Sequence, residues 1–292
     1  MTLAELIRRI EHRFSAAPLF YGHGTDNAHD EAVWLVLRGL GLPFNADPSA
    51  PATDVERIEQ LGERRVRERM PVAYLLKEAW LAGESFYVDE RVIVPRSHIA
   101  ELLPSFWRRP IKRVLDLCTG SGCLAILAAK AFPAAQVDAV DLSPPALAVA
   151  RKNVARHRLG RRVHLQHSDL FGALSGKHYD LIVTNPPYVN ADAMGELPAE
   201  FRHEPRVALA GGPDGLDLVA RILAQAPDHM EADGLLVCEV GDGKAAVQRR
   251  FRSLRLDWLK PEVFAVQRDA LPHLASKGAS GRRQPTPAKA KR

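Results

Sequence analysis

The chain has little of what would mark a secreted, metal-binding or membrane protein. Only three cysteines occur in 292 residues. Cys118, Cys123 and Cys238 each lie in or beside an apolar run, which suits reduced core thiols and excludes a disulfide framework. No cysteine or histidine pair has zinc-ligand spacing. His164 and His167 fall three apart in an apparent strand, on opposite faces, so no metal site is expected. No apolar run approaches the length of a membrane span, and residues 1–9 read as an amphipathic helix rather than a signal peptide. A cytoplasmic protein without membrane contact is the expectation. Acidic residues are missing from the C-terminus: residues 277–292 hold six basic side chains and no acid, so of the net +5 the tail carries +6 and the rest of the chain −1. The body is therefore near neutral, which disfavours a nucleic-acid groove. A Gly/Pro/Lys/Arg tail cannot bury a core and should be disordered. It is either merely solvated or a salt-sensitive tether to RNA or a ribosomal particle.

What is present is organised in blocks. Leu3, Leu6, Ile7, Ile10 and Phe14 recur at helical spacing, and a second helical stretch runs through 32–37. A third, highly charged stretch turns Val55, Ile58, Leu61 and Val66 inward and leaves Arg64, Arg65, Arg67 and Arg69 solvated. Residues 1–82 thus read as a small N-terminal helical domain suited to substrate recognition. After Gly83 the pattern turns strand-like: 86–88 and 92–96 around a polar turn at 89–91 predict a β-hairpin, which with its linker bridges the domains over 83–109. Arg96, at its exit, either faces substrate or is a surface charge. From 111 onward strands and helices alternate, with strands expected at 114–118, 137–141, 163–167, 181–184 and 235–240. Two more, 254–259 and 263–267, are spaced for an antiparallel pair. This predicts an α/β, Rossmann-like domain over 110–270 with helices on both faces of a mainly parallel sheet, followed by the tail, 271–292.

Three strand exits carry polar groups that converge on one chemistry. Leu115-Asp116-Leu117-Cys118-Thr119-Gly120-Ser121-Gly122-Cys123 is a strand, a glycine turn and a helix start, where backbone approaches a ligand closely. Residues 120–125 also fit G-x-G-x-x-A, which keeps a dinucleotide enzyme open. Asp141 ends the next strand about 20 residues on, where a carboxylate accepts both hydroxyls of a ribose; the alternative is a cap for the helix beginning at Pro144. Asp169 is placed to accept from an adenine amino group and Leu170 to wall the ring, against a turn carboxylate and a core leucine. These pieces accommodate one nucleoside and no second nucleotide.

Across from them stands Asn185-Pro186-Pro187-Tyr188, straight after an apolar strand that two prolines must end. Asn185 offers a side-chain carbonyl, and the prolines offer backbone carbonyls with no N–H beside them. Pre-proline restriction holds both stiffly. A planar –NH2 on an sp2 carbon fits these acceptors, with the Tyr188 face beside it. Such a nitrogen is a poor nucleophile, so orientation must supply much of the barrier reduction, up to ~7–11 kcal/mol.

Asn-Pro-Pro-Tyr resembles the motif of S-adenosylmethionine-dependent methyltransferases that act on amide or exocyclic amino nitrogens. Phe86–Ser97 in sequence, with His203-Glu204-Pro205 and Gly211-Gly212-Pro213-Asp214-Gly215-Leu216-Asp217, is similar to the protein glutamine N5-methyltransferases. Within them, Pro95-Arg96-Ser97 and Tyr21-Gly22-His23-Gly24-Thr25-Asp26-Asn27 resemble the branch that modifies ribosomal protein L-three. The release-factor branch typically has Pro-Arg-Pro-Glu-Thr after its hairpin and a Trp at the position of Leu170. The resemblance covers roughly residues 1–270, and its link between the last two strands is shorter than the family's. It implies a seven-stranded class I methyltransferase fold. The cofactor would be S-adenosyl-L-methionine, leaving as S-adenosyl-L-homocysteine, bound by Asp116, Thr119, Gly120, Ser121, Gly122, Asp141, Asp169, Leu170 and Asn185. Glutamine of ribosomal protein L-three would be held by Asn185, Pro186, Pro187 and Tyr188, with Asn185, Pro186 and Tyr188 at the reacting centre. Release factors as acceptors, or N6 of adenine in nucleic acid, are the alternatives, since adenine N6 presents the same –NH2.

Overall fold

The computed structural model describes residues 1–108 and 111–271, so the basic tail from 272 onward lies outside the described residues. Helices α1 (Leu3–Ser15), α2 (Ala28–Gly39), α3 (Val55–Glu68) and the short α4 (Val72–Leu76) form the N-terminal module. A capping box starts α1: Thr2 Oγ1 accepts from Glu5 N at 3.2 Å and the Glu5 carboxylate from Thr2 N at 2.8 Å. Its buried face is Leu3, Leu6, Ile7, Ile10 and Phe14, as the spacing predicts. Arg65 departs from expectation: it is completely buried, not solvated. It lies seven residues after Ile58, on the same helix face. Two carboxylates meet it there, Glu31 at 2.9 Å and Glu200 at 3.0 Å, and it donates to Phe20 O at 2.8 Å. A buried charge is tolerated when it is paired and fully hydrogen-bonded.

The hairpin is displaced from its expected place. Strands β1 (Ala79–Leu81) and β2 (Glu84–Phe86) pair antiparallel around Ala82-Gly83, whose φ values of +49° and +77° are those of a two-residue turn matched to strand twist. The following segment, through Ser97, joins no strand and turns at 89–92, where Val92 N donates to Asp89 O at 3.1 Å. Val88, Val92 and Val94, on either side of that turn, are buried, and side chains satisfy the backbone. Tyr87 exchanges hydrogen bonds with the Asn153 amide at 2.7 and 2.9 Å, Glu204 accepts from Val94 N at 2.9 Å, and Tyr74 donates to Val92 O at 2.5 Å. Apolar residues on both sides of a polar turn report where the chain meets the core, and nothing in them distinguishes a ladder from side-chain partners.

The main sheet contains β3 (Arg113–Leu117), β4 (Gln136–Asp141), β5 (Val163–His167), β6 (Tyr179–Thr184), β7 (Met230–Glu239), β8 (Asp257–Lys260) and β9 (Val263–Gln267). Its order is β5-β4-β3-β6-β7-β9-β8. The first five are parallel; β9 runs antiparallel to β7 and β8 antiparallel to β9. The short link at Pro261-Glu262 is thus accommodated as a hairpin turn. Helices α5 (Ile99–Leu102), α6 (Cys123–Ala131) and α7 (Pro144–Arg156) cover one face. The other is covered by α9 (Asp217–Gln225) and α10 (Lys244–Arg250), while α8 (Ala191–Glu196) follows the β6 exit. Strand residues alternate between the two apolar clusters: Val114, Val137 and Leu181 on one side, Leu115, Val140 and Ile182 on the other. A third cluster fills the N-terminal module and is closed by Ala146 and Val149 of α7, so the module packs onto a helix of the main sheet. Strand order reverses between β3 and β6, and the loops leaving those strands diverge to open a crevice.

Candidate active site

Two cavities meet at the carboxyl ends of β3 and β6. The first, about 340 Å³, is lined by the exits of β3 (Cys118, Gly120), β4 (Asp141, Leu142, Ser143) and β5 (Ser168, Asp169, Leu170). The second, about 520 Å³, contains Arg96, Pro186, Tyr188 and Asp242. Ile93, Asn185, Pro187 and Ala208 line both. Asn185 therefore stands in the wall between the cavities, and its side chain makes no hydrogen bond to any described residue. Thr184, just before it, ties β6 to β3 by donating to Leu117 O at 3.0 Å.

The β3 exit reverses sharply, with positive φ at Cys118 (+59°), Gly120 (+54°) and Gly122 (+81°). At a non-glycine residue this costs ~1–2 kcal/mol and persists only where surroundings impose it. Asp116 imposes it from below. Its Oδ2 accepts from Thr119 Oγ1 at 2.6 Å and Ala125 N at 3.0 Å, while burial pushes its carboxyl up to about 7 against those bonds. Asp116, Thr119 and Ser121 are buried behind the loop and line neither cavity. Gly122 also lines neither. A Cβ there would lie 3.2 Å from Ala150 Cβ, so this glycine lets α7 pack closely. Gly120 does reach the first cavity, and its N–H donates to Asp141 Oδ2 at 2.8 Å. Asp141 Oδ1 accepts from Ser143 N at 2.8 Å; the cap of α7 is Ser143, not Asp141. The Asp141 carboxyl is raised by burial, opposed by these N–H bonds, and each oxygen, having accepted one N–H, retains further acceptor capacity. Asp169 is half-exposed and paired with Arg221 at 2.8 Å. Leu170 is buried with φ +48°.

Around Asn185 to Tyr188 the backbone is gripped from behind. Val189 N donates to Leu209 O at 2.9 Å and Gly211 N to Val189 O at 2.8 Å. A Cβ at Gly211 would come within 2.7 Å of Tyr188 Cα, and one at Gly215 within 2.3 Å of Tyr188 O. Those two glycines are thus needed for chain-to-chain approach. Gly241, at φ +50°, lies against the Tyr188 ring itself. Burial, then the nearby Glu239 carboxylate, push the Tyr188 phenol up to about 12, so it is neutral at physiological pH and no ready base. Arg96 is not a free surface charge: Glu204, buried, receives its Nη1 at 2.5 Å and Nη2 at 2.7 Å. His164 and His167 each lie 2.9 Å from an oxygen, Gln136 Oε1 and Leu142 O.

A ribosomal protein uL3 glutamine methyltransferase of Bordetella pertussis is 55% identical over 269 residues, covering 88% of this chain and 90% of that protein. The chain belongs to this family. Proteins of the same name from Burkholderia pseudomallei (48% identical, covering 94% of this chain and 97% of that one) and Neisseria gonorrhoeae (46%; 92% and 95%) are also similar. The methyltransferase small domain matches residues 99–213, which span the strand exits from β3 to β6 and reach Gly211.

Sequence reasoning missed part of the first cavity. Leu142 and Val207 are 55% and 60% exposed and both line it, as do Ile93 and Arg91. Leu142 was findable as the residue after a strand-end carboxylate. Val207 arrives by a long connection and leaves no local signal. The polar turn expected at 89–91 does form, without a strand ladder beside it, and it brings Arg91 to the cavity, held by Asp89 at 2.5 and 2.7 Å.

Proposed function

We propose that this chain transfers a methyl group from S-adenosylmethionine to the side-chain N5 of a glutamine in large-subunit ribosomal protein L3. One observation carries the reading: Asn185, whose side chain has no hydrogen-bond partner among the described residues, is shared by a cavity with nucleoside-binding character and a cavity with acceptor-binding character. Exposed Leu142 and Val207 leave apolar surface for a flat ring. Asp169 offers its edge an acceptor, and Asp141, fixed by Gly120 and Ser143, offers two oxygens to vicinal hydroxyls. These residues fit S-adenosylmethionine and would hold it. Bound there, it supplies an electrophilic methyl on a sulfonium sulfur.

Everything else is positioning by the chain. Asn185 Oδ1 and Pro186 O accept both hydrogens of the acceptor –NH2, and Tyr188 packs against its plane. The nitrogen is thereby left facing the first cavity. Oxygen dipoles aimed at that nitrogen stabilise the positive charge that develops on it. The Tyr188 phenol keeps its proton, and the proton lost from nitrogen passes to water. Pre-proline stiffness lets these oxygens hold their direction without reorganising.

The N-terminal module, 1–82, docks the acceptor protein, and the enzyme works in the cytoplasm, where that substrate is made. Among the described residues no helix is long and apolar enough to cross a membrane. The basic tail adds a weak, salt-sensitive contact with ribosomal RNA; unchanged particle binding at low salt after deletion of residues 277–292 refutes that part. The decisive experiment is Asn185→Ala with labelled methyl donor and purified L3. Transfer is abolished while cofactor binding persists, weakened. Near-normal turnover overturns the assignment, and label in a release factor alone selects the sister activity.

A further inference from the structure

The Arg96–Glu204 pair sits where an amide must be told from a carboxylate. Glu204, 4% exposed, takes the end of the guanidinium through Nη1 and Nη2, and Nη1 also reaches Val94 O at 3.3 Å. A guanidinium has five N–H groups in a fixed fork. Nε–H and the second Nη2–H, which form its side edge, have no partner among the described residues. Arg96 lines the second cavity with its side chain 22% exposed, and Phe201 stacks over the guanidinium at 5.1 Å. His23, from the N-terminal module, backs the pair at 3.6 Å from Glu204 Oε1. Burial, then Arg96, push its imidazole down to about 3, so it adds no charge. One cation faces one anion.

We propose that Arg96 is a specificity residue: its side edge donates to the carbonyl oxygen of the acceptor side chain, and Glu204 cancels its charge so that a carboxylate gains nothing there. The inference rests on the glutamine reading above and adds how glutamate is refused. Asn185 Oδ1 and Pro186 O supply acceptors for –NH2 but leave the amide oxygen needing a donor. An unpaired guanidinium would supply that donor and also attract glutamate strongly. Pairing with Glu204 keeps the donors and removes the attraction. The other charges lining the cavity are Asp214, itself held by Arg250 at 2.9 Å, together with Asp242 and Arg249.

The test uses the full enzyme, purified L3, and L3 with glutamate in place of the glutamine found methylated by mass spectrometry. Wild-type turnover on L3 tests the underlying reading independently. Arg96→Met raises KM for L3 about tenfold or more, the scale for losing a recognition hydrogen bond, with cofactor affinity, measured by titration, unchanged as the folding control. Glu204→Gln leaves the guanidinium uncompensated, and the glutamate form of L3 then inhibits at roughly tenfold lower concentration relative to KM than in the wild type. Unchanged KM in Arg96→Met, or an unchanged glutamate-to-glutamine ratio in Glu204→Gln, overturns the proposal. Should Glu204→Gln not fold, Arg96→Met/Glu204→Gln removes both charges together. It must show the same rise in KM at unchanged cofactor affinity, and an unchanged KM there overturns the proposal equally.

Discussion

Replacing Gly241 by alanine tests the acceptor side of the site without touching the nucleoside side. Gly241 has φ +50°, and a Cβ there would sit 2.5 Å from Tyr188 Cε2 and 3.0 Å from Cδ2 and Cζ. Ordinary carbon contacts are ~3.5–4 Å, so the ring or the loop must yield by about 1 Å. The left-handed backbone adds ~1 kcal/mol for any residue with a Cβ. Tyr188 cannot retreat as a unit, because Gly211 and Gly215 already press on its backbone. The ring therefore swings into the cavity. A displacement of ~1 Å at a positioning group costs on the order of 10²-fold in rate. The expected result is a fall in kcat/KM for L3 by about that factor, with cofactor affinity by titration calorimetry within twofold of wild type. Melting should drop by only a few degrees, since ~1–2 kcal/mol corresponds to roughly 2–8 °C in a chain of this size. Unchanged kcat/KM would show that the Tyr188 ring does not position the acceptor. A parallel loss of cofactor affinity would show that the two cavities are not separable.

Two further predictions concern the seam between the N-terminal module and the sheet. Arg65→Met strands the buried carboxylates of Glu31 and Glu200 and should cost ~3–5 kcal/mol, read by urea denaturation; a loss below about 1 kcal/mol refutes the buried network. His23 binds protons far more weakly folded than unfolded, its value falling from 6.5 to about 3. The unfolded chain thus holds the extra proton between those values, and the His23 contribution is intact above about 6.5 and lost as pH falls toward 3. Its slope is ~1.4 kcal/mol per pH unit within that window. Unfolding free energies of wild type and His23→Gln, compared at pH 7.5 and 5, should converge by roughly 2 kcal/mol at the lower pH; parallel curves would refute the buried neutral imidazole.

Much of the sheet was legible because its signals are local. Val163–His167 and Val263–Gln267 fall where the alternation of strands and helices between turn residues predicts them, and the other strand ends shift by a few residues where polar residues such as Gln136 and Asp180 are drawn into the ladder. Asn185 was legible for the same reason: two prolines must end a strand, and strand ends of open parallel sheets face the crevice. Gly122 was legible as a turn glycine, with φ +81°, but the closeness of Ala150, 3.2 Å from a Cβ there, was not.

What needed tertiary structure was every feature whose cause lies far along the chain. Arg65 reads as a surface charge until Glu31 and Glu200, 34 and 135 residues away, converge on it. The segment after Phe86 reads as a strand until Asn153, Glu204 and Glu239 replace a ladder with side-chain bonds. Arg96 is undecidable alone, because its role depends on whether a buried carboxylate neutralises it, and that carboxylate is 108 residues distant. Short-range sterics and hydrophobic period determine which segments are helix, strand or turn. Whether a charge is exposed, paired or aimed at a substrate is decided by what other segments bring to it, and the local pattern holds no information about that.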